Sequence, residues 1–172
     1  KLADLATGDP KDPETVVGPL INAAAAERVE SWVAEAVDAG ATLLVGGKRN
    51  GTEYAPTLLA DVPSDAKVCS EEVFGPVMVV SSFGDVNEAF ATVNDSRFGL
   101  QAGVFTHNVQ IAFRAQAELE VGGIVIGDVP SYRADQMPYG GVKNSGSGRE
   151  GIASAIEDYT DVRVMVLTGL DL

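Results

Sequence analysis

Two periodicities alternate along the chain. Between Asn22 and Ala39, the apolar residues Val29, Trp32, Val33, Ala36 and Val37 recur at helical spacing, while Glu27, Arg28, Glu30, Glu35 and Asp38 fall mostly on the opposite side. That pattern predicts an amphipathic helix. Asn22 can accept hydrogen bonds from its first turn, and Gly40 can end it, because glycine takes positive φ without a Cβ clash. Residues 42–45 are β-branched or apolar and read as a short strand stopped by Gly46-Gly47. Residues 54–59 are extended in character but contain Pro56. Proline cannot donate to a ladder, so an edge strand is the most this segment is expected to form.

The middle of the chain is the clearest part. Residues 77–83 read as a strand. Asp85 then caps a helix with Glu88 at the capping-box position, and Val86, Ala89, Phe90 and Val93 form its inner face. Residues 102–106 are a strand, Asn108 caps a helix running to about Leu119, Gly122-Gly123 stop it, and residues 124–126 form another strand. A β-α-β-α-β order with short connections predicts parallel pairing and helical cover. The expected fold class is therefore α/β: a doubly wound, mostly parallel sheet with helices on both faces. Around this centre, residues 1–20 are a turn-rich loop, residues 127–151 a long glycine-rich segment of the kind that usually carries function, and residues 150–158 a helix. Residues 162–167, Val-Arg-Val-Met-Val-Leu, read as a last strand that closes a sheet edge or pairs with another segment or subunit.

Composition narrows the function classes. The chain has 172 residues, with 12 Lys or Arg against 25 Asp or Glu and a net charge of −13. A 45% hydrophobic content is enough to offset chain entropy, so an ordered core is expected. The acidic balance argues against a nucleic-acid surface or an anionic membrane, both of which call for basic patches. No apolar run approaches the ~20 residues that cross a bilayer, and no secretory leader is visible, so a cytoplasmic location is expected. A single cysteine, Cys69, excludes an intrachain disulfide framework and a cysteine-cluster metal site. The chain opens on Lys1 rather than Met, which raises the expectation of a piece of a longer protein.

Several motifs invite chemistry. Gly146-Ser-Gly148-Arg-Glu-Gly151 matches G-x-G-x-x-G literally, but a loop precedes it and no acidic strand end follows at the right distance, so it reads as a tight loop feeding a helix. Cys69 is flanked by Glu71 and Glu72, whose charge would raise a thiol pKa, and the sole histidine, His107, sits beside a helix cap; both read as structural, the thiol as a small buried one. The run Glu71-Glu72-Val73-Phe74-Gly75-Pro76 puts two carboxylates before an aromatic and a turn into a core strand. One carboxylate could accept hydrogen bonds from ligand hydroxyls, or both could be solvated; local sequence leaves both readings open. In the long loop, Arg133 has the geometry to bind a carboxylate or phosphate, or simply meets solvent, and Tyr139 beside Gly140-Gly141 covers either a ligand or the core.

Together these pieces resemble the aldehyde dehydrogenase superfamily. The resemblance is carried, in the family's order, by Gly18-Pro19-Leu20-Ile21, by EEVFGPV at residues 71–77, by NDSRFGLQAGVFT at residues 94–106 and by PYGGVKNSGSGREG at residues 138–151. It implies that Glu72 binds the nicotinamide-ribose hydroxyls and that Phe74 packs near the nicotinamide of NAD or NADP. It implies that Tyr139 lines the aldehyde tunnel, that Arg133 is a candidate for contact with an anionic or polar substrate tail, and that the last strand joins a sheet across subunits of a homo-oligomer. The family's nucleophilic cysteine stands in a Gly-Gln-x-Cys context and its general-base glutamate in Glu-Leu-Gly-Gly; neither string occurs here. No catalytic residue is therefore assigned within this chain, Cys69 included, and Gly127 stands where family members commonly have Asn.

Two functional expectations follow. In the first, residues 1–159 are the C-terminal portion of an aldehyde dehydrogenase catalytic domain and residues 160–172 the terminal strand of its oligomerisation region. The complete enzyme would oxidise an aldehyde to a carboxylic acid through a thiohemiacetal and thioester on a cysteine outside this chain, and this segment alone would be inactive. In the second, the same fold serves as a non-catalytic binding or assembly module. The retained EEVFGPV run and Tyr139 loop favour the first.

Overall fold

The computed structural model describes residues 1–169. They fall into two compact units, residues 1–83 and a second that begins at Gly84.

In the first unit a short 3-10 turn at Leu2–Asp4 precedes helix α1, Ala23–Asp38. The Asn22 side chain accepts from the Ala25 amide at 2.8 Å, and Gly40 follows the helix end at φ +110°, so both punctuation signals act as the sequence predicts. Strand β1 (Thr42–Val45) is followed by a tiny hairpin of β2 (Arg49–Asn50) and β3 (Glu53–Tyr54), then β4 (Thr57–Ala60), the one-turn helix α2 (Lys67–Ser70) and β5 (Val77–Val80). The sheet runs β1-β4-β5, with β1 antiparallel and β5 parallel to β4. The edge-strand expectation for residues 54–59 is thus overturned, because β4 is the central strand. Pro56 stops short of the first paired residue, so its missing N–H removes no ladder bond, and the Thr57 amide donates to Pro76 O at 2.8 Å.

The inner face of α1 supplies Val29, Val33 and Ala36 to a core with Ala41, Tyr54, Leu59 and Val68; Leu20, Trp32, Val73, Val77 and Val79 pack around it. Thr57 is buried yet satisfied, its hydroxyl accepting from Gly47 N at 2.8 Å and donating to Ala55 O at 2.7 Å. The polar side of α1 is also engaged, with Glu30 bound to Arg49 and Glu35 to Lys67, each at 2.7 Å.

In the second unit α3 (Val86–Asn94), β6 (Phe98–Gly99), β7 (Gln101–Val104), α4 (Val109–Glu118), β8 (Gly123–Ile126), β9 (Val142–Lys143) and α5 (Ile152–Tyr159) follow in order. Asp85 caps α3 through the amides of Asn87 and Glu88, and Asn108 caps α4 through those of Gln110 and Ile111. Glu88 reaches one residue beyond the capping-box amide, accepting from Gly84 N at 2.6 Å. Strands β7 and β8 pair in parallel, from Gln101↔Gly123 to Val104↔Ile126, with α4 as the crossover between them. Phe90, Ala115 and Leu119 form the core, with Val86, Ala102, Val104, Ile111, Val121 and Ile124 around it. Mixed helices and sheets with parallel β4/β5 and β7/β8 pairs make the fold α/β.

Of the terminal-strand region expected at residues 160–172, the last three residues lie outside the described residues, and its apolar run, residues 162–167, forms no strand in this chain. Val162, Val164, Met165, Val166 and Leu167 are exposed, because a strand needs a partner edge for its amides and carbonyls and none of the described residues offers one there. No helix among the described residues is long and apolar enough to cross a membrane.

Candidate functional site

The run at residues 71–76 lies between α2 and β5 in the first unit. Glu71 ends α2, its amide donating to Lys67 O at 2.9 Å. Glu72 is exposed, and neither carboxylate oxygen is engaged by another described residue. Val73 turns inward and packs on the core. Phe74 sits in the left-handed region at φ +47° and is 73% exposed. A bulky residue there costs about 1–2 kcal/mol of backbone strain, so the surroundings must hold it. Gly75 shows how they do so: a Cβ at that position would lie 2.8 Å from Val29 Cγ2 and 3.6 Å from Leu20 Cδ2. Leu20, from the Gly18-Pro19-Leu20-Ile21 motif, is itself anchored by its amide to Thr52 O at 2.8 Å. The inward Val73 and the Cβ-less Gly75 therefore sink the backbone on either side of Phe74, and Glu72 and Phe74 project outward.

In the second unit, Arg133 and Tyr139 come together. The Arg133 guanidinium lies 4.5 Å from the centroid of the Tyr139 ring, and its Nη2 donates to Glu150 Oε2 at 2.7 Å. Tyr139 and Glu150 are also joined along the backbone, each amide donating to the other's carbonyl, at 2.9 and 2.6 Å. The tip between them closes by near-contact of backbones. A Cβ on Gly140 would lie 2.7 Å from Gly148 O, one on Gly122 would overlap the Gly140 carbonyl, and Arg149 Nη1 donates to Gly141 O at 2.9 Å. At the loop's far end, β9 pairs with β6, and Lys143 Nζ binds Asn94 O at 2.6 Å, Ser96 O at 3.0 Å and the Glu120 carboxylate at 2.7 Å. Lys143 adopts φ +54° to do so.

The remaining candidates behave otherwise. Cys69 is exposed rather than buried, because it sits on the outer side of one-turn α2, where Val68 takes the inward place. Partial desolvation still pushes its thiol pKa up, the wrong direction for a nucleophile. His107 is exposed three residues past the end of β7, beside the Asn108 cap. The G-x-G-x-x-G string sits in the loop before α5 with Gly148 at φ +74° and Gly151 at φ +123°; Gly151 is the N-cap of α5 and provides no side-chain cap. Its glycines serve close backbone approach. Among the described residues, no group of three or more His, Cys, Asp or Glu is placed to hold a metal ion.

Two residues escape the sequence reading. Glu150, treated only as the start of a helix, is the partner of Arg133, a pairing across 17 positions that no local pattern announces. Arg28, assigned to the solvent side of α1, is part-buried and donates to Val73 O at 2.9 Å. A local signal existed for it: Arg28 precedes Trp32 by four residues, and its guanidinium lies 4.8 Å from that ring.

The aldehyde dehydrogenase family model covers residues 1–165, and this chain belongs to that family. The 3-sulfolactaldehyde dehydrogenase of Priestia aryabhattai is 50% identical over 167 residues, covering 97% of this chain and 35% of that protein. The structure of aldehyde dehydrogenase 21 from Physcomitrella patens, in complex with its reaction product succinate, superposes with a TM-score of 0.89 at 43% identity, covering 91% of this chain and 33% of that one. The glyceraldehyde-3-phosphate dehydrogenase GapN of Methanocaldococcus jannaschii, complexed with NADP, gives 0.86 at 40% identity over 91% of this chain and 34% of that one. The chain thus spans about a third of the length of the curated relatives it matches.

Proposed function

We propose that this chain is the later part of the catalytic domain, residues 1–159, and the terminal oligomerisation strand, residues 160–172, of an NAD(P)-dependent aldehyde dehydrogenase. In the complete enzyme the aldehyde becomes a thiohemiacetal and then a thioester on a cysteine outside this chain, which hydrolyses to the carboxylic acid. When bound, the nicotinamide supplies the hydride acceptor.

The observation that carries the reading is the outward pair on the first loop. Glu72 has two acceptor oxygens unengaged among the described residues, which suits the vicinal hydroxyls of a ribose, and Phe74 offers an exposed ring two residues on. These acceptor oxygens and this ring fit the nicotinamide-ribose end of the cofactor. Tyr139 lines the aldehyde site, and Arg133, stacked on it, meets the anionic tail of the substrate. Three relatives named above support an anionic tail, since sulfolactaldehyde, glyceraldehyde 3-phosphate and the semialdehyde that yields succinate all carry one. Residues 162–167, apolar and unpaired, pair with a second subunit to make a homo-oligomer.

In the complete enzyme, Glu72→Gln is expected to raise the cofactor KM about 10-fold or more, the scale of hydrogen bonds to a charged group. Unchanged cofactor kinetics would remove the role. Arg133→Met is expected to cut kcat/KM for sulfonated or carboxylated aldehydes about 10- to 100-fold relative to a neutral aldehyde of the same length. Equal losses for both classes would place the anionic tail elsewhere.

A further inference from the structure

We propose that Arg28, on α1, is the positioning residue of the cofactor loop. It would hold the carbonyl between Glu72 and Phe74 so that both side chains face the same ligand. The inference rests on the reading of Glu72 and Phe74 given above.

Residues 71–76 have no strand or helix of their own, so the outward pose of Glu72 and Phe74 depends on what grips the backbone between them. Apolar packing grips two points, Val73 in the core and Gly75 against Val29 and Leu20. Packing fixes depth but is non-directional; it does not set the rotation of a peptide plane. That rotation matters at the Val73–Phe74 peptide, because Phe74 is held at φ +47° and a turn of its preceding plane would release it to the ordinary region. Arg28 Nη2 donates to the carbonyl of this same peptide, Val73 O, at 2.9 Å. The guanidinium that makes the bond is itself oriented, lying over the Trp32 ring one helical turn on at 4.8 Å. A planar, ring-stacked donor on a long helix is a rigid reference, whereas a flexible ammonium is not. α1 thereby reaches the cofactor loop through a residue that need not touch the cofactor.

The test uses the complete enzyme and compares Arg28→Met, Arg28→Lys and Glu72→Gln. Three readouts apply: fluorescence titration with NADH and with NADPH, the split between cofactor KM and aldehyde KM, and amide hydrogen exchange of residues 71–75 against α1. Arg28→Met is expected to weaken reduced-cofactor binding about 3- to 30-fold, less than the full loss of one charge-assisted bond because Arg28 acts through the loop backbone. It should speed exchange at residues 72–75 while α1 exchange and aldehyde KM stay at wild-type values, and Arg28→Lys should restore part of the binding. Wild-type binding by Arg28→Met, with Glu72→Gln weakened, overturns the positioning role and leaves the cofactor reading standing. Wild-type binding by both variants overturns the two together. A uniform rise in exchange through α1 and the β1-β4-β5 sheet makes Arg28 a stabiliser of the fold and also overturns the proposal.

Discussion

In the first unit the loop at residues 71–76 leans on a side-chain core: Val73 packs against the cluster that contains Val29, Val33, Tyr54 and Leu59, and the loop turns over a glycine with no room for a methyl group. In the second unit the loop from Tyr132 to Arg149 has few buried side chains. Backbone-to-backbone closure at Gly122, Gly140 and Gly141, the Tyr139–Glu150 bridge and cationic tethers from Arg133, Lys143 and Arg149 hold it instead. The two means differ in stiffness. A packed loop moves only by opening a cavity or overpacking a neighbour, at a cost of kilocalories. A loop tethered by exposed pairs, such as Arg133–Glu150 with both partners about half exposed or more, is held by ~0–1 kcal/mol per pair and can shift for little. On the proposed function, the first construction suits the cofactor end of the reaction and the second the end that meets the aldehyde.

The largest effects should come from the packed side. Leu59→Ala, at a fully buried position, is expected to cost about 2–5 kcal/mol in chemical denaturation, and Leu119→Ala, in the smaller core, less. If Leu119 costs as much, the second unit is not the looser one. Next come the glycines. Gly75→Ala should cost about 1–3 kcal/mol through the clash with Val29 and weaken cofactor binding, leaving the discrimination among aldehydes untouched. Gly122→Ala pushes on the Gly140 carbonyl and should raise aldehyde KM with cofactor Kd unchanged. Steady-state kinetics with both ligands varied checks the pair; a reversed pattern would break the division of labour between the loops.

These two loops were unequally legible in the sequence. Helix caps at Asn22, Asp85 and Asn108 are local, a short side chain serving amides two or three residues on, and all three act as the residue types predict. Apolar periodicity likewise marked β1, β7 and β8. The rest depends on distant partners. The centrality of β4 is set by β1 and β5, which no reading of Pro56 contains. Strands β6 and β9 are two residues each and pair across the whole long loop, Phe98 with Lys143. On the two loops, Glu72 and Phe74 in the first unit and Tyr139 and Arg133 in the second stand out by resemblance to a family, whereas Arg28 and Glu150 reach Val73 and Arg133 through bonds spanning 45 and 17 positions. Residue type marks what can touch a ligand; what holds it there is written in the fold.

A smaller effect, of pH, separates helix ends and surface pairs from the packed sheet. In the second unit the Asp85 carboxyl is held below the ordinary carboxylate range, chiefly by the backbone amides of Glu88 and Asn87, and Glu118 is held down by the Arg114 guanidinium. In the first unit Glu35 is lowered by Lys67 and Ser31. A group whose folded pKa is depressed contributes stability that is complete above its unfolded value and is lost as pH falls through the folded one. Acidification from neutral to about pH 3 should therefore loosen the α3 N-terminus in the second unit. Asp85→Asn keeps a side-chain oxygen to cap the amides but has no charge to lose. Amide exchange across residues 86–90 should accelerate on acidification in the wild type, beyond the intrinsic pH dependence, and stay flat in the variant. The acids of the second unit titrate at a helix end and in a surface pair, and Glu35 of the first unit in an exposed pair on α1, so the effect should stay local to those groups, with exchange in the β1-β4-β5 sheet of the first unit unchanged over the same range. If the sheet loosens first, the packed unit is the acid-sensitive one and the contrast in stiffness does not govern the response to pH.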